Sequence, residues 1–402
     1  MEQRRILVGV TGGIAAYKAP ELVRALRRAG HAVRCVMTPE ATSFVTPLVL
    51  QTLTGAPVTT DVLDPSQEGE IDHIALADWA ELLVVAPATA NTLARLANGL
   101  ADEPVSTVAL ATRAPLLVAP AMNVNMWQHP ATQRNVATLK ERGVRVVGPD
   151  VGELACGWEG EGRMSDPAEI AAVAELALGS RSLQSEVVLV TAGGTREPVD
   201  AVRYLGNRSS GKMGFAVAEE AARRGAEVVL VTAPTGLATP AGVRRVDVES
   251  ATEMRDAVLV EFDKASIVIK SAAVADFRPV APSARKLKKE DLPEGAGLTL
   301  ELERNPDILA ELCRRKDDRT IVGFAAESHD VVAAAQRKLE RKGCDLMVAN
   351  DISRAGTGFD VDHNTVVFIW PGGEIEELPT LPKAEVAAQL LDRVEKLRGG
   401  TK

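Results

Sequence analysis

The strongest constraint on the fold is an order of elements that occurs twice, once at the start of the chain and once near its middle. The first copy, RRILVGVTGGIAAYKAPELVRALRRAGHAVRCVM, has an apolar strand pattern, a glycine turn, an amphipathic helix pattern ending at Gly30, and a second strand. The second copy, EVVLVTAGGTREPVDAVRYLGNRSSGKMGFAVAEEAARRGAEVVLVTAP, repeats this order with a longer turn and a helix ending at Gly225. Strands that alternate with helices predict βαβ units and therefore a parallel sheet in each half.

Further apolar runs support this architecture. They are ELLVVAPA, PLLVAPA and VRVVGP in the first half, and ASIVIKSAA, TIVGFAAES, CDLMVAND and NTVVFIW in the second. Continuous rather than alternating apolar strands are typical of parallel sheets covered on both faces. We therefore predict an α/β protein with two doubly wound, mainly parallel-sheet, Rossmann-like domains. The polar segment from Gly179 to Glu186 marks the boundary, which gives domains 1–180 and 186–402.

Composition limits the class of protein and its partners. With 402 residues and 46% hydrophobic content, the chain is globular and too long for one core. A net charge of −9 gives no general attraction to nucleic acid or to an anionic membrane. The four cysteines are widely spaced and form no CxxC pair, so they indicate neither a disulfide framework nor a zinc site. Without a signal-like segment or an apolar run of ~18–20 residues, we expect a cytoplasmic protein.

A glycine turn at the first strand end is a candidate anion site. In VGVTGGIAAYK, Gly12 and Gly13 would let backbone N–H groups approach an anion, although a tight turn alone would also need glycine. The segment is neither GxGxxG nor GxxxxGK[ST]. The next strand ends in Met37 and Thr38 rather than in the acid that binds a dinucleotide ribose. These features favour a mononucleotide phosphate over NAD.

A second strand end in the first half carries polar groups. The segment VVAPATANTLARLANGLAD places Thr89, Asn91 and Thr92 between a strand and a helix. Their hydroxyl and amide groups would either cap the helix or bind phosphate. Because both segments belong to one edge of the sheet, together they favour a phosphorylated cofactor.

Three other segments of the first half contain candidate reactive groups. PAMNVNMW follows the strand APLLVA at the same edge and has no charge. His73 precedes a helix, where a cap or surface role is the alternative to that of a base. Cys156 lies in the glycine-rich segment GELACGWEGEGRM. A thiol with an ordinary pKa near ~8.5 is mostly protonated at neutral pH and could donate a proton.

The second half contains a different set of polar strand ends. KSAAVADFRP ends a strand at Asp276, and the basic stretch that follows includes Lys286, for which a solvated charge run is the alternative. In RNPDILAELC, Asn305 is expected to cap the helix opened by Pro306. Lys338 and Lys342 are four apart and share a helix face, either at a site or on a charged surface.

These motifs resemble those of a known family. GGIAAYK, DHIALADWAELLVVAPATANT, PAMNVNMW and ACGWEGEGRM stand in the order and spacing of the flavin-dependent cysteine decarboxylases, and specifically of phosphopantothenoylcysteine decarboxylase. The second half resembles phosphopantothenate-cysteine ligase in TAGGTREPVDAVRYLGNRSSGKMG, SAAVADFRP, KLKK, NPDI, GFAAE and KGCDLMVAND. Together the halves resemble the bifunctional proteins of coenzyme A synthesis. The first domain would then be a flavodoxin-like flavoprotein and the second a nucleotide-binding ligase.

The resemblance implies two reactions. CTP would activate the carboxylate of 4′-phosphopantothenate as an acyl-cytidylate with release of pyrophosphate, and L-cysteine would displace CMP. The decarboxylase half would then convert 4′-phosphopantothenoyl-cysteine to 4′-phosphopantetheine with FMN. A divalent cation, Mg2+ or Mn2+, would accompany CTP, with no ligands assigned. Homo-oligomerisation is also implied, with decarboxylase trimers linked through ligase dimers, an arrangement that would give a dodecamer.

The resemblance also assigns residues. In the decarboxylase half, His73 would be the base, Asn123 would bind the reacting cysteine moiety, and Cys156 would protonate the enethiol. The residues implied at the flavin are Gly12, Gly13, Thr38, Thr89, Asn91 and Thr92. This half departs from the family pattern at Glu103-Pro104 and at Trp158, which affects local packing and flap closure rather than the reaction class.

In the ligase half, the resemblance implies that Asn207 contacts the acyl-cytidylate and that Arg203 favours its conversion to product. It also implies that Lys286 neutralises the charge of the triphosphate. The nucleotide site would comprise Ala272, Asp276, Lys286, Asn305, Pro306, Asp307, Ile308, Phe324, Lys338 and Lys342.

Two alternative functions belong to other classes of protein: a flavin-binding regulatory protein, and an NAD-linked oxidoreductase. The absence of GxGxxG and of a ribose-binding acid weighs against the second.

Overall fold

The computed structural model describes residues 3–62, 72–153, 157–288, 290, 297–327, 330–351 and 361–399. The chain divides into two compact units, Met1–Leu178 and Gly179–Lys402. Each unit has a central, largely parallel β-sheet with helices on both faces. The predicted doubly wound α/β fold is therefore confirmed for both halves.

The elements of the first unit alternate along the chain, as the apolar runs predicted. Among the described residues, its strands are β1 (Arg5–Val10), β2 (Ala32–Met37), β3 (Val58–Thr59), β4 (Leu82–Ala88), β5 (Leu116–Pro120), β6 (Arg145–Val146), β7 (Asp150–Glu153) and β8 (Glu159–Arg163). Its α-helices are α1 (Ala19–Arg28), α2 (Pro47–Thr54), α3 (Asp72–Trp79), α4 (Ala90–Asn98), α5 (Pro104–Ala111), α6 (Val124–Gln128), α7 (Pro130–Glu141) and α8 (Pro167–Leu178). Two 3-10 helices span Ile14–Lys18 and Pro39–Ser43.

The main sheet of the first unit has the order β3-β2-β1-β4-β5-β6, with all neighbours parallel. This is the Rossmann order, whereas flavodoxin follows 2-1-3-4-5. The order reverses between β1 and β4, and their carboxyl ends therefore form the crevice where such sheets bind ligands. Apolar side chains fill both faces, with Leu22 and Ile170 in one layer and Leu93 and Leu139 in the other.

The second unit contains the remaining elements. Its described strands are β9 (Val187–Ala192), β10 (Arg196–Pro198), β11 (Tyr204–Gly206), β12 (Glu227–Thr232), β13 (Val243–Asp247), β14 (Ile267–Lys270), β15 (Phe277–Pro279), β16 (Leu302–Arg304), β17 (Thr320–Glu327), β18 (Leu346–Asp351), β19 (His363–Asn364), β20 (Val366–Ile369), β21 (Ile375–Glu377) and β22 (Leu381–Pro382). Its described α-helices are α9 (Lys212–Arg223), α10 (Ala251–Phe262), α11 (Ile308–Arg314), α12 (Val331–Lys342) and α13 (Lys383–Gly399).

The main sheet of the second unit has the order β13-β12-β9-β14-β17-β18-β20-β21. In this order, neighbouring strands are parallel from β13 through β12, β9, β14 and β17 to β18. Strands β20 and β21 then extend the sheet in antiparallel pairing. Helices α10, α11 and α12 contribute Met254, Leu312 and Leu339 to the core on one face. Helices α9 and α13 pack together on the other, where Val217 and Leu390 are fully buried.

The segment between the two apolar halves is attached to the second unit. Leu183 is buried, and its N–H donates to the carbonyl of Arg224 at 3.0 Å. A Cβ atom at Gly179 would overlap the carbonyl oxygen of Arg223, so only glycine permits this approach of the two backbones. None of the described helices is both long and apolar enough to cross a membrane.

A buried ion cluster joins α9 to α13. The guanidinium of Arg224 donates to Glu220 at 2.8 Å and to Glu395 at 2.9 Å, and also to the carbonyl of Ala388 at 2.9 Å. Burial alone would raise the pKa of Glu220, but hydrogen bonds from Arg223 and Arg224 lower it below its ordinary value. Because this pKa is lowered in the folded state, the stabilisation is present above the unfolded pKa and is lost as the pH falls through the folded one.

We expect Arg224→Met to lower the free energy of unfolding of the second unit by about 3–5 kcal/mol, because it removes the buried guanidinium that pairs with both Glu220 and Glu395. Denaturant titration measures the change. Arg223→Met is the matched control, since Arg223 pairs with the same carboxylate but its side chain is 31% exposed against 7% for Arg224. Equal losses in the two variants would contradict the role of burial.

Candidate active sites of the two units

The glycine turn and the Thr89 segment meet at the switch point of the first sheet. The buried Thr11 hydroxyl donates to the carbonyl of Pro87 at 2.7 Å and accepts from the N–H of Thr89 at 3.2 Å. One side chain therefore links the residues after β1 to those after β4. Sequence reasoning missed Thr11, although a threonine directly after an apolar strand was the available signal.

Gly12 also fits closely against the segment that follows β2. A Cβ atom there would overlap the Cβ of Glu40, so the turn needs glycine at this position. Thr38 is buried in that segment, and its hydroxyl accepts a hydrogen bond from the N–H of Ala41 at 3.3 Å. A Cβ atom at Gly13 would lie 3.5 Å from Cγ2 of Thr89. The structure thus brings Gly12, Gly13, Thr38 and Thr89 to one edge.

Thr89 is the N-cap of α4. Its hydroxyl accepts from the N–H of Thr92 at 3.2 Å and lies 3.1 Å from the Thr92 hydroxyl. Thr92 is buried, whereas Asn91 is exposed. Capping therefore accounts for the local contacts of the two threonines, and Asn91 presents its amide to solvent at the same helix start.

Two backbone hydrogen bonds fix the start of the PAMNVNMW loop. The N–H of Ala121 donates to Ala88 at the end of β4, and the N–H of Met122 donates to Gly162 in β8 at 3.0 Å. The Asn123 side chain caps α6 by accepting from the N–H of Asn125 at 2.8 Å. Val124 and Trp127 are buried. The apolar residues of the loop thus anchor it, and they hold Asn123 at the edge of the sheet.

His73 lies in the first turn of α3 and is half-buried. Its Nδ1 atom is buried and has no hydrogen-bond partner in the part of the chain that the structure describes. An unsatisfied buried polar atom costs about 1–3 kcal/mol, which is typical of a site that a ligand or partner completes. Cys156 lies outside the described residues. The β7-β8 hairpin flanks it, with Trp158 54% exposed.

The second unit has a cavity of about 940 Å³ at the carboxyl ends of β14, β17 and β18 and the start of α9. Ten of the residues assigned from the sequence line it: Asn207, Ala272, Asp276, Asn305, Pro306, Asp307, Ile308, Phe324, Lys338 and Lys342. Arg203 and Lys286 are not among the residues that line it. The cavity therefore unites most of the expected nucleotide site.

Two asparagines hold the loop that follows β14. Asn207 donates to the carbonyl of Val274 at 3.1 Å, and Asn305 donates to that of Ala275 at 2.9 Å. The expectation that Asn305 caps the next helix was wrong. Asp307 is the N-cap of α11 and accepts from the N–H of Ala310 at 3.1 Å, whereas the Asn305 Oδ1, the atom that would cap, accepts from Arg278 at 3.1 Å.

Lys338 and Lys342 face the cavity rather than an open charged surface. The Lys338 ammonium donates to the carbonyl of Phe324 at 3.1 Å, and Lys342 forms an ion pair with Asp307. The Lys342 side chain is only 10% exposed. Burial lowers its pKa, while Asp276 opposes this effect.

Arg203 and the Lys286 segment form a separate cluster around Asp200. The buried carboxylate accepts from the N–H groups of Val202, Arg203 and Leu287 and pairs with the Arg203 guanidinium at 3.0 Å. Burial would raise the pKa of Asp200, but these N–H groups and Arg203 lower it. Arg203 also donates to the carbonyl of Leu287 at 3.1 Å, so it holds the residue next to Lys286.

The charges around the cavity favour an anionic ligand. Among the described residues that line it, seven are cationic and two are acidic: Arg208, Lys212, Lys270, Arg304, Lys338, Lys342 and Lys383 against Asp276 and Asp307. No group of three or more His, Cys, Asp or Glu side chains in the described ranges could hold a metal ion. The two aspartates nevertheless suit Mg2+, which binds through one or two carboxylates together with phosphate oxygens.

Sequence reasoning missed several polar residues of the cavity, among them Lys270 and Asn350. Lys270 ends β14, and its pKa is lowered to about 7 by burial and then by Lys338 and Lys342. Asn350 in β18 is 9% exposed, and its Oδ1 has no hydrogen-bond partner among the described residues. Both interrupt apolar strands at their carboxyl ends, which was the available signal.

Comparisons with known proteins agree with this division into two units. Residues 1–177 match the family described as Flavoprotein. Residues 183–397 match the family described as DNA/pantothenate metabolism flavoprotein C-terminal domain. The second match alone covers more than half of the chain.

Relatives match nearly the whole length. The coenzyme A biosynthesis bifunctional protein CoaBC of Vibrio vulnificus strain YJ016 is 45% identical over 98% of this chain and 98% of its own. The Escherichia coli K12 protein of the same name is 47% identical over 96% of this chain and 95% of its own. A crystal structure of the C-terminal domain of a CoaBC protein is 42% identical, covering 54% of this chain and 98% of its own with a TM-score of 0.46. The chain therefore belongs to the family of bifunctional coenzyme A biosynthesis proteins CoaBC.

Proposed function

We propose that the chain catalyses two successive steps of coenzyme A synthesis. Residues 186–402 would ligate L-cysteine to 4′-phosphopantothenate with CTP, and residues 1–180 would decarboxylate the product to 4′-phosphopantetheine with FMN. The main support from the structure is the cationic cavity, where nine residues assigned to the nucleotide site lie together with Asn207. Full-length similarity to bifunctional relatives supports both activities in one chain.

In the ligase half, cations would stabilise the charge that develops as the substrate carboxylate attacks the nucleotide. Pyrophosphate is the leaving group, and the amine of cysteine then attacks the acyl-cytidylate and releases CMP. Lys338 and Lys342 line the cavity, and so does Asn207, which donates to the carbonyl of Val274. Arg203 and Lys286 would join the site from the Asp200 cluster. Asp276 and Asp307 are the carboxylates that would hold Mg2+ or Mn2+.

In the decarboxylase half, the turn after β1 and the N-terminus of α4 suit an anionic phosphate. The residues proposed to hold FMN there are Gly12, Gly13, Thr38, Thr89, Asn91 and Thr92. When bound, the flavin would supply the redox chemistry that allows loss of CO2. The close fit of Gly12 is compatible with a site that a ligand completes, and so is the Nδ1 of His73, which lacks a partner within the described ranges.

The protein groups of this half would bind substrate and move protons. Asn123 is held at the edge of the sheet and would contact the reacting cysteine moiety. A neutral amide suits this task, because a cation would stabilise the carboxylate charge that the reaction must remove. His73 is proposed as the base and Cys156 as the proton donor to the enethiol.

We also propose a cytoplasmic homo-oligomer. Large apolar side chains are exposed next to the proposed flavin edge, including Tyr17 at 62% and Leu48 at 67%. A contact between copies of the first unit would bury them. Trimers of this unit, linked through dimers of the second, are the arrangement we propose.

The first test is mass spectrometry of a reaction with purified protein, FMN, 4′-phosphopantothenate, cysteine, Mg2+ and either CTP or ATP. We expect 4′-phosphopantetheine and CMP with CTP, because each half supplies one step. If folded protein with bound flavin formed no acyl product from either nucleotide, the proposal would fail in favour of a flavin-binding regulatory protein.

Asn207→Asp should block ligation, because it places a negative charge where the acyl-cytidylate is proposed to bind. We expect at least a hundredfold loss of CMP formation, as for about 3 kcal/mol of lost stabilisation. Decarboxylation of supplied 4′-phosphopantothenoyl-cysteine by the same protein is the internal control and should continue. Loss of both activities would argue against separate sites.

Cys156→Ser and His73→Asn should stop the decarboxylase half at different points. With supplied 4′-phosphopantothenoyl-cysteine, the serine variant should release CO2 without forming 4′-phosphopantetheine, because the weaker acid cannot protonate the enethiol. The His73 variant should retain flavin and release no CO2. Gas release, product mass and the flavin absorbance together distinguish the two. Normal product formation by either variant would remove the role assigned to that residue.

A further inference from the structure

Lys270 occupies a central position in the second unit. It ends β14, which lies between β9 and β17, and its register partners are Thr191 and Gly323. The residue is half-buried and lines the cavity. A charged side chain at this point follows three fully buried apolar residues, Ile267, Val268 and Ile269. The sequence thus places a cation where the strand opens into the site.

The three lysines of this part of the cavity differ in their partners. Lys338 donates to the carbonyl of Phe324, and Lys342 forms an ion pair with Asp307. Phe324 directly follows Gly323, the register partner of Lys270, which places Lys338 close to Lys270. No hydrogen bond or ion pair joins the Lys270 ammonium to any other residue in the described part of the chain.

The Lys270 ammonium, without a partner among the described residues, lies in an electrostatically unfavourable position. Burial and then the neighbouring Lys338 and Lys342 lower the pKa of Lys270 to about 7, although Asp276 opposes them. The other charged groups that line the cavity are mostly cationic as well, with Asp307 already paired to Lys342. A ligand of high negative charge would make the charged form of Lys270 favourable.

We infer that Lys270 binds the phosphate groups of the nucleotide and, in the ligation step, neutralises the pyrophosphate that leaves. This inference rests on the proposed ligase function, and it adds a residue that sequence motifs did not assign. Lysine suits the task as a compact point charge at phosphate. The reaction itself is unchanged: the carboxylate oxygen bonds to the α-phosphorus as the bond to pyrophosphate breaks.

Binding should be coupled to proton uptake. In the free protein at pH 8, which lies above its pKa, Lys270 is mostly neutral. A bound polyanion raises that pKa, so the amine gains a proton when the nucleotide binds. The free triphosphate is already deprotonated at this pH. The proton uptake therefore reports on Lys270 itself. The charged groups that face Lys270 are Lys338, Lys342 and Asp276.

Titration calorimetry of CTP and of inorganic tripolyphosphate at pH 8, in two buffers of different ionisation enthalpy, tests this assignment on the full chain. The wild type should take up close to one proton for each nucleotide bound. Lys270→Met should take up none and bind both ligands about ten- to a hundredfold more weakly, as for the loss of one charged hydrogen bond. Lys270→Arg, which keeps the charge but does not titrate, should bind without uptake.

The variants also separate this inference from the proposed function. If the wild type binds CTP and forms CMP while Lys270→Met matches it in affinity and proton uptake, Lys270 has no role at the phosphates. Weaker binding of CTP but not of tripolyphosphate would likewise overturn the phosphate assignment. If the wild type neither binds CTP nor forms CMP, the ligase function itself fails, and this inference fails with it.

Unfolding measurements show whether Lys270→Met is folded. A lysine whose pKa is lowered in the folded state destabilises it fully below that pKa, and the penalty falls as the pH rises towards the unfolded value near ~10.4. The methionine variant should therefore be at least as stable as the wild type at pH 7, and its stability should rise less between pH 7 and 10. Weaker nucleotide binding in a more stable protein would be the signature of a binding residue.

Discussion

Parallel strand pairing is the constraint on which both units depend. Each main sheet is covered on two faces, so the residues in the middle of its central strands must be apolar. Their backbone N–H and C=O groups form hydrogen bonds with the neighbouring strands. Polar chemistry is thereby confined to the strand ends. Thr11, Thr89 and Asn123 follow strands of the first sheet, and Lys270 and Asn350 end strands of the second. The two proposed sites share this origin although their chemistry differs.

This constraint explains how much could be predicted from the sequence. Continuous apolar runs and repeated βαβ units indicated both sheets, and the polar strand ends indicated where ligands would bind. Which of two neighbouring polar side chains caps a helix was harder to predict from the sequence. Asn305 and Asp307 are both good capping residues, and the choice depended on groups distant in sequence, because Arg278 donates to the Asn305 Oδ1 and Ala275 accepts from its amide nitrogen. Lys270 was overlooked because its strand motif was interpreted only as buried.

The two sites also differ in how they are completed. The ligase cavity gathers its cations within one unit, and most assigned residues line it. The decarboxylase half instead has exposed apolar side chains and a buried His73 nitrogen that has no hydrogen-bond partner among the described residues. These features suit the proposed site, which the cofactor, the substrate and a second copy of the first unit would complete. A purely regulatory flavin-binding protein would need neither the ligase cavity nor its excess of positive charge.

The Asp200 cluster has a consequence for how its surroundings move. One buried carboxylate holds three backbone amides, from Val202, Arg203 and Leu287, together with the Arg203 guanidinium. Breaking any one contact leaves the same carboxylate less satisfied, so the contacts strengthen one another. The Arg203 turn and the segment beside Lys286 therefore form a single cooperative unit of local unfolding, and their amides are expected to exchange with solvent in one shared opening event.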